Sequence, residues 1–546
     1  MRAKLIASLL LFAAAGGAAA QDIEVPRISF LAVKWDTALA ELDKVEALRA
    51  PSPASTLKAL ARLNDATGKD FPNIAASPVP VLLPLNLEVY LRGKNERGAE
   101  YPSGIRPSKF FLAGPAGYDA AFIVSAPAGI KVGASRDVEI HISGMALLYE
   151  LGERVGGEEK PTNGLQDDFP GIRRLYAESY MRYLFERHGV LYSVSIECFD
   201  GRSHHKKLSC NDAHTIAVRF LKALTVAGGK PQPAPPTAAS PIDGRPDKDS
   251  TVFAYYPPGH LISGTGARQR GGHADPTVYA KIRFPLADAP AHTYSQVFMN
   301  MGDCAEVSSR TIKRYGAPFR CPSGDKVANV AAPNAAPSRY PWRDNFCESR
   351  GFLVGQCPSG IGHQGQDIVP VDCQLSSQDS GHCDRNQHRV VAAHDGLVLR
   401  TSGQEGLIVV ANAPGTHLRF RYLHMNPKLI DEDGFLSGRA VREGETIGKV
   451  GNYSGREGGT SYHLHFDMQV PTKDGWVLVN PYMTLVFAYE RLIGGRGMRI
   501  EESRKVGDED VAQTSSIQAS TKLVRRSPRL SKRNERVSAR AKYNRM

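Results

Sequence analysis

His463-Leu464-His465-Phe466-Asp467, followed by Met468, alternates polar and apolar side chains without a break. Period-two alternation reads as a β-strand, whose successive side chains turn to opposite faces. His463, His465 and Asp467 then share one face, and Leu464, Phe466 and Met468 the other. Two imidazoles on one face of a rigid strand make half of a metal site. With 16 histidines in 546 residues, an isolated His-x-His is also what chance supplies, and a solvated strand face accounts for it as well. The rest of the chain has to decide between the two.

Upstream stands Gly362-His363-Gln364-Gly365-Gln366-Asp367-Ile368. A His and an Asp four apart would share a helical face, but Gly365 between them and Pro370 after them argue for a loop or strand edge. Between this motif and the His-x-His lies Tyr422-Leu423-His424. It closes a strand with Leu418, Phe420, Tyr422 and His424 on one side and Arg419 and Arg421 on the other. Further strands are expected at Val390 to Ser402, Gly406 to Ala411 and Gly444 to Gly451, with weaker runs at Thr277 to Phe284 and Thr293 to Phe298. Helical period is nearly absent from Thr251 to Gly495, so residues 251–495, with a core at about 340–490, read as an all-β domain built on an antiparallel sheet. Neutral imidazole and carboxylate are natural zinc ligands, and three protein ligands leave a fourth position for water.

The order His-x-Gly-x-Asp, Tyr-x-His, His-Leu-His-Phe, with the glycine-rich turn Gly444 to Gly455 before the last, resembles the M23 family of zinc metallopeptidases, the lysostaphin-like or LytM-type domains. That resemblance implies an endopeptidase acting on peptidoglycan peptides and holding one Zn2+. Carried over position by position, it implies His363, Asp367 and His465 as metal ligands and His424 and His463 as unligated catalytic histidines. A peptide bond needs a base for the attacking water, stabilisation of the oxyanion and an acid for the leaving amine, and two histidines beside the metal can share those tasks. Asp467, on the same strand face, is placed to orient a histidine. A non-catalytic wall-binding or hydrolase-activating module, or a zinc peptidase acting on proteins, are the alternatives. No His-Glu-x-x-His occurs, and Ser55-Thr56-Leu57-Lys58 lacks the companion motifs of a serine acyl-enzyme.

The remainder frames this domain. Arg2 and Lys4, the apolar run Leu5 to Ala15 and the small residues Ala18 to Ala20 read as a signal peptide over residues 1–20. The mature protein is then exported, periplasmic or extracellular, and carries no later transmembrane segment. Eight cysteines, all beyond the signal, suit local disulfides in an oxidising compartment, nearest-neighbour pairing being the simplest guess. Residues 21–228 read as an α+β domain of unknown role. Its helices are expected from Trp35 to Leu63, broken at Pro51-Ser52-Pro53, from Leu175 to Arg187 and from Ala213 to Ala227; its strands include Val79 to Leu91, Val138 to Leu151 and Val190 to Cys198. Residues 229–250, rich in Pro, Ala and Ser, read as an extended linker. The net charge of +12 is concentrated at the ends. Thr521 to Met546 holds ten Lys or Arg against one Glu, and Arg2 and Lys4 add two more positive charges, so the body is nearly neutral. A basic partner surface is then a property of the tail, and no nucleic-acid partner is expected. Residues 496–546 read as a disordered basic tail suited to an anionic envelope polymer.

Overall fold

A proline-free leucine stripe builds α1 (Trp35–Leu42), and Pro53 opens α2 (Pro53–Thr67) at the first helical position, where its missing N–H costs nothing. The computed structural model describes residues 23–48, 53–92, 100–130, 137–151, 157–199, 208–233, 244–261, 274–293, 305–306, 319–320, 341–348, 350–370, 387–401 and 403–500. The signal segment, His204-His205, residues 234–243 of the proline-rich linker, the cysteines at 304, 321, 373 and 383, His382 and the basic tail beyond Ile500 lie outside these residues, whereas Arg496–Arg499, read above as the start of the tail, is a strand paired with Asp249–Tyr255.

The N-terminal half is organised on a seven-stranded antiparallel sheet. Its strands are β1 (Ile105–Gly114), β2 (Gly117–Ser125), β3 (Asp137–Met145), β4 (Glu158–Lys160), β5 (Arg173–Ala177), β6 (Tyr180–Arg187) and β7 (Val190–Glu197), in the spatial order β1-β2-β3-β7-β6-β5-β4. One face packs on α1, α2 and α3 (Cys210–Lys222), which Ser209 caps by accepting from the Asp212 N–H. Cys198 and Cys210 form a disulfide that ties β7 to α3.

Leu175 to Arg187, read above as a helix, is instead the hairpin β5–β6. Its aromatic residues Tyr176, Tyr180, Tyr183 and Phe185 favour the pleated sheet. Glu178 and Ser179 take left-handed backbone (φ 56° and 65°), the conformation a tight two-residue hairpin turn demands. Val79 to Leu91, read as one strand, divides into a strand at Val81–Pro84 and a helix at Leu87–Arg92.

The C-terminal half carries an eight-stranded antiparallel sheet. Its strands are β8 (Ala291–Thr293), β9 (Gln366–Pro370), β10 (Gly396–Arg400), β11 (Leu407–Ala413), β12 (Thr416–Leu423), β13 (Ala440–Val441), β14 (Leu464–Thr472) and β15 (Gly475–Val479). The spatial order is β8-β9-β14-β12-β11-β10-β13, with β15 paired to the far end of β14. Leu464, Phe466, Met468, Leu418, Phe420 and Tyr422 turn to the hydrophobic core. There they meet α4 (Tyr482–Ile493) and the aromatic cluster Phe253, Phe284, Trp342 and Tyr489. The helix α4 departs from the all-β reading. It is buried from Tyr482 through Glu490, and a helix that is apolar nearly all round shows no stripe in the sequence. The end of the linker is packed too: Arg245 holds the buried Glu490 carboxylate through two hydrogen bonds of 2.7 and 2.8 Å.

The other face of this sheet meets the N-terminal sheet. Phe110 and Ala121 pack on Leu399 and Val410. Asp119 of β2 accepts from Arg419 and lies 2.8 Å from His417 Nε2, while the Trp476 indole donates to Ser143 Oγ at 2.9 Å. Arg173 pairs with Asp474 at 2.7 Å. The register sets Arg421 opposite Asp467 and Leu423 opposite His465 on this same face.

Candidate metal centre

Asp367 on β9 pairs directly with His465 on β14, so the strand register alone brings the second and third predicted ligands together. Gly365 permits the approach: a Cβ there would lie 2.4 Å from the Phe466 carbonyl oxygen. His363, just before β9, is pinned by two backbone hydrogen bonds to the loop closed by the Cys347–Cys357 disulfide, its N–H to the Glu348 carbonyl and its carbonyl to the Cys347 N–H.

The three ligand atoms form a nearly equilateral triangle. His363 Nε2 lies 3.0 Å from His465 Nδ1 and 3.2 Å from Asp367 Oδ1, and His465 Nδ1 lies 3.1 Å from Asp367 Oδ1. All three residues are buried, and this is the metal-capable His/Cys/Asp/Glu group found among the described residues. The far side of each imidazole identifies its protonated nitrogen. His363 Nδ1 donates to the Asn345 carbonyl at 2.9 Å, and His465 Nε2 faces Asp467 Oδ2 at 3.3 Å. Lone pairs of two imidazoles and a carboxylate therefore converge on one point, which is unfavourable unless a cation sits there. A tetrahedral zinc with bonds of about 2.0–2.1 Å separates its ligands by roughly 3.3 Å, close to these edges.

The two remaining histidines stand beside the triangle. His463 Nε2 is 3.4 Å from Asp367 Oδ1, and its Nδ1 donates to the Ser461 carbonyl at 2.8 Å. His424 Nδ1 donates to the Tyr453 carbonyl at 2.6 Å, and the His424 and His463 ring centres are 4.6 Å apart. Strict alternation would have put His424 on the core face with Tyr422. A left-handed backbone (φ 72°) at the strand end turns it toward the site. The glycine-rich turn fits between these histidines: a Cβ on Gly451 would lie 2.4 Å from the His424 carbonyl oxygen, and Gly451 accepts the His463 N–H.

Burial and mutual proximity set the charges. Burial pushes the His363 imidazole down to about 4, and burial with His463 and His465 alongside holds His424 well below its usual value. Burial would raise the Asp367 carboxyl, but the surrounding histidines hold it well below the carboxylate range. His465 is raised: the hydrogen bonds to Asp367 and Asp467 outweigh the effect of burial. For His363 and Asp367 these directions favour the neutral imidazole and ionised carboxylate that metal ligation requires, while His465 would have to give up its proton to a bound ion. Asp467 touches His465, the orienting role anticipated for it. Arg421 was not singled out in the sequence, yet its Nε donates to Asp467 Oδ2 at 2.6 Å and its Nη2 to Gln364 Oε1 at 2.8 Å. The period-two pattern had already put Arg421 opposite the core face.

The profile of peptidase family M23 matches residues 382–481. The chain carries a peptidase family M23 domain. The M23 match contains His424, His463 and His465 and begins beyond His363 and Asp367, which the tertiary structure joins to them. One solved structure, from Ruminococcus gnavus ATCC 29149 and provisionally described as a glycyl-glycine endopeptidase lytM, aligns at 22% identity over 25% of this chain and 49% of that chain, with a TM-score of 0.18. This chain thus spans about half the length of that one. No curated protein matches the chain. Among the described residues no helix is long and apolar enough to cross a membrane.

Proposed function

We propose that this M23 peptidase is an exported, zinc-dependent endopeptidase that hydrolyses peptide bonds in peptidoglycan cross-links or stems. The observation that carries the reading is the convergence of the His363, Asp367 and His465 ligand atoms within 3.2 Å of one another, flanked by two further histidines. His363, Asp367 and His465 would hold the ion. Zinc, when bound, acidifies its water toward neutrality and polarises the scissile carbonyl. His424 and His463 each commit Nδ1–H to a backbone carbonyl, which leaves Nε2 of each free to take a proton from water, pass one to the leaving amine or steady the oxyanion. Export rests on the basic, apolar and small-residue order of residues 1–20, and the +9 of Thr521 to Met546 suits attachment to an anionic envelope polymer.

The test is incubation of the purified full chain with peptidoglycan, with and without a chelator, followed by mass spectrometry of the soluble fragments. New amine termini that vanish with chelator and in His465→Ala are expected. Their absence from the metal-replete wild type overturns the reading, and unchanged wall binding without cleavage would make the protein a binding module instead.

A further inference from the structure

The N-terminal sheet lies on the face of the peptidase sheet that carries the site, and one of its turns comes nearest. In the β5–β6 turn, Glu178 and Ser179 are successive non-glycine residues with left-handed backbone. Each costs of order 1 kcal/mol or more, and such strain persists where surrounding contacts over-determine it. Here the contacts run to the peptidase half. The Glu178 N–H donates to the Leu353 carbonyl at 3.1 Å, and Glu178 Oε1 accepts the Leu478 N–H at 3.2 Å. Glu178 Oε2 pairs with Arg182, both side chains being buried. Leu353 belongs to the disulfide loop that pins His363, and Leu478 lies on β15, the neighbour of β14.

Two cations near the turn reach the metal centre. Arg350, three residues before Leu353, has Nη2 3.7 Å from Asp367 Oδ2, the carboxylate oxygen that faces away from the other ligands. Arg421, opposite Asp467 on β12, is close enough to Tyr180 and Glu178 of the hairpin for both to act electrostatically on its guanidinium. It joins Asp467, which holds His465, to Gln364, the residue after His363. A single part-buried guanidinium thus spans the two segments that bear the histidine ligands.

We propose that the β5–β6 turn is a working part of the metal centre, holding Arg421 and the Cys347–Cys357 loop where they orient His465 and Asp367. Arg421 and Glu178 are positioning residues, acting on the ion through Asp467 and through the loop. This gives the N-terminal half a role in the site, and it rests on the zinc reading above.

The test measures the zinc dissociation constant of the full chain by competition with a chromophoric chelator, together with the visible spectrum of the cobalt(II)-substituted protein. Neither readout involves a substrate. Arg421→Met is expected to weaken zinc by about 10–100-fold, the usual cost of losing an outer partner of a ligand, and to shift the cobalt bands. Arg421→Lys, which keeps the charge, should recover part of the loss. Glu178→Gln keeps size and one hydrogen bond and should weaken zinc several-fold. Asp474→Asn, which cuts the Arg173 pair elsewhere in the same interface, should leave zinc affinity unchanged. Wild-type affinity and cobalt spectrum in Glu178→Gln overturn the proposal, and that variant decides the matter if Arg421→Met does not fold. An equal loss in Asp474→Asn also overturns it, by showing general loosening of the interface. A wild-type chain that takes up no zinc sinks the zinc reading itself before any variant is measured.

Discussion

Removing Asp119 deletes the anion that joins the two sheets. Its carboxylate is fully buried, 2.8 Å from His417 Nε2, and accepts from Arg419, whose guanidinium lies 3.9 Å from the centre of the Trp476 ring. In Asp119→Ala that guanidinium stays buried with no carboxylate beside it among the described residues, and breaking a buried pair in this way costs about 3–5 kcal/mol. Asp119→Asn keeps the shape and a hydrogen bond, so its cost should be smaller, on the order of 2 kcal/mol. The pH dependence follows from the same contacts. Burial alone would raise the Asp119 carboxyl, but Arg419 and His417 outweigh it and hold the group at about 2, against 3.8 for a free side chain. A carboxyl depressed in the folded state stabilises the fold above its unfolded value, and the unfolded chain takes up the proton first as the pH falls. The contribution is therefore complete above pH about 4 and lost toward pH about 2, and a gap of nearly two units corresponds to roughly 2.5 kcal/mol. Urea midpoints of wild type, Asp119→Ala and Asp119→Asn at neutral pH and near pH about 2.5 would read this out. Both variants should fall below wild type at neutral pH, with the gap narrowing in acid. A gap that is the same at both pH values, or an alanine variant within about 1 kcal/mol of wild type at neutral pH, would refute the reasoning.

Four further outcomes follow from the site and the tail. His424→Ala and His463→Ala should each keep zinc while losing about 10²–10⁴ in kcat, checked by metal content alongside peptide hydrolysis; loss of metal from either would recast that residue as a ligand. Gly451→Ala forces the His424 carbonyl away from a Cβ 2.4 Å off and should cost about 1–3 kcal/mol of stability together with activity, measured by thermal melts and hydrolysis. Opening the Cys347–Cys357 loop with Cys347→Ser/Cys357→Ser should cost about 3 kcal/mol and weaken zinc, because His363 is hydrogen-bonded to that loop. Deleting Thr521 to Met546 should abolish salt-sensitive binding to anionic wall material in a cosedimentation assay and leave hydrolysis of small peptides alone; equal binding of the truncated chain at low salt would count against it.

Face relationships within strands were legible from local alternation. Period-two alternation through His463 to Met468 put His465 and Asp467 together and the apolar residues in the core, because pleating acts locally. It likewise set Arg421 opposite Tyr422, although nothing local marked that arginine as a partner of Asp467. Local reading failed where burial removes periodicity or where turn chemistry overrides composition. α4, apolar nearly all round, carried no stripe to read, and the β5–β6 hairpin depends on left-handed Glu178 and Ser179, which no glycine announces. His424 joined the site only because a left-handed backbone at the strand end reversed its expected side. Which histidine nitrogens are unprotonated was decided by carbonyls and a carboxylate brought in from other segments: Asn345, Tyr453, Ser461 and Asp467. The tertiary structure alone decided that the N-terminal sheet covers the face of the C-terminal sheet that carries the His363, Asp367 and His465 cluster. That contact joins residues some three hundred positions apart, such as Asp119 with Arg419, and no local pattern in a single chain encodes such a pairing.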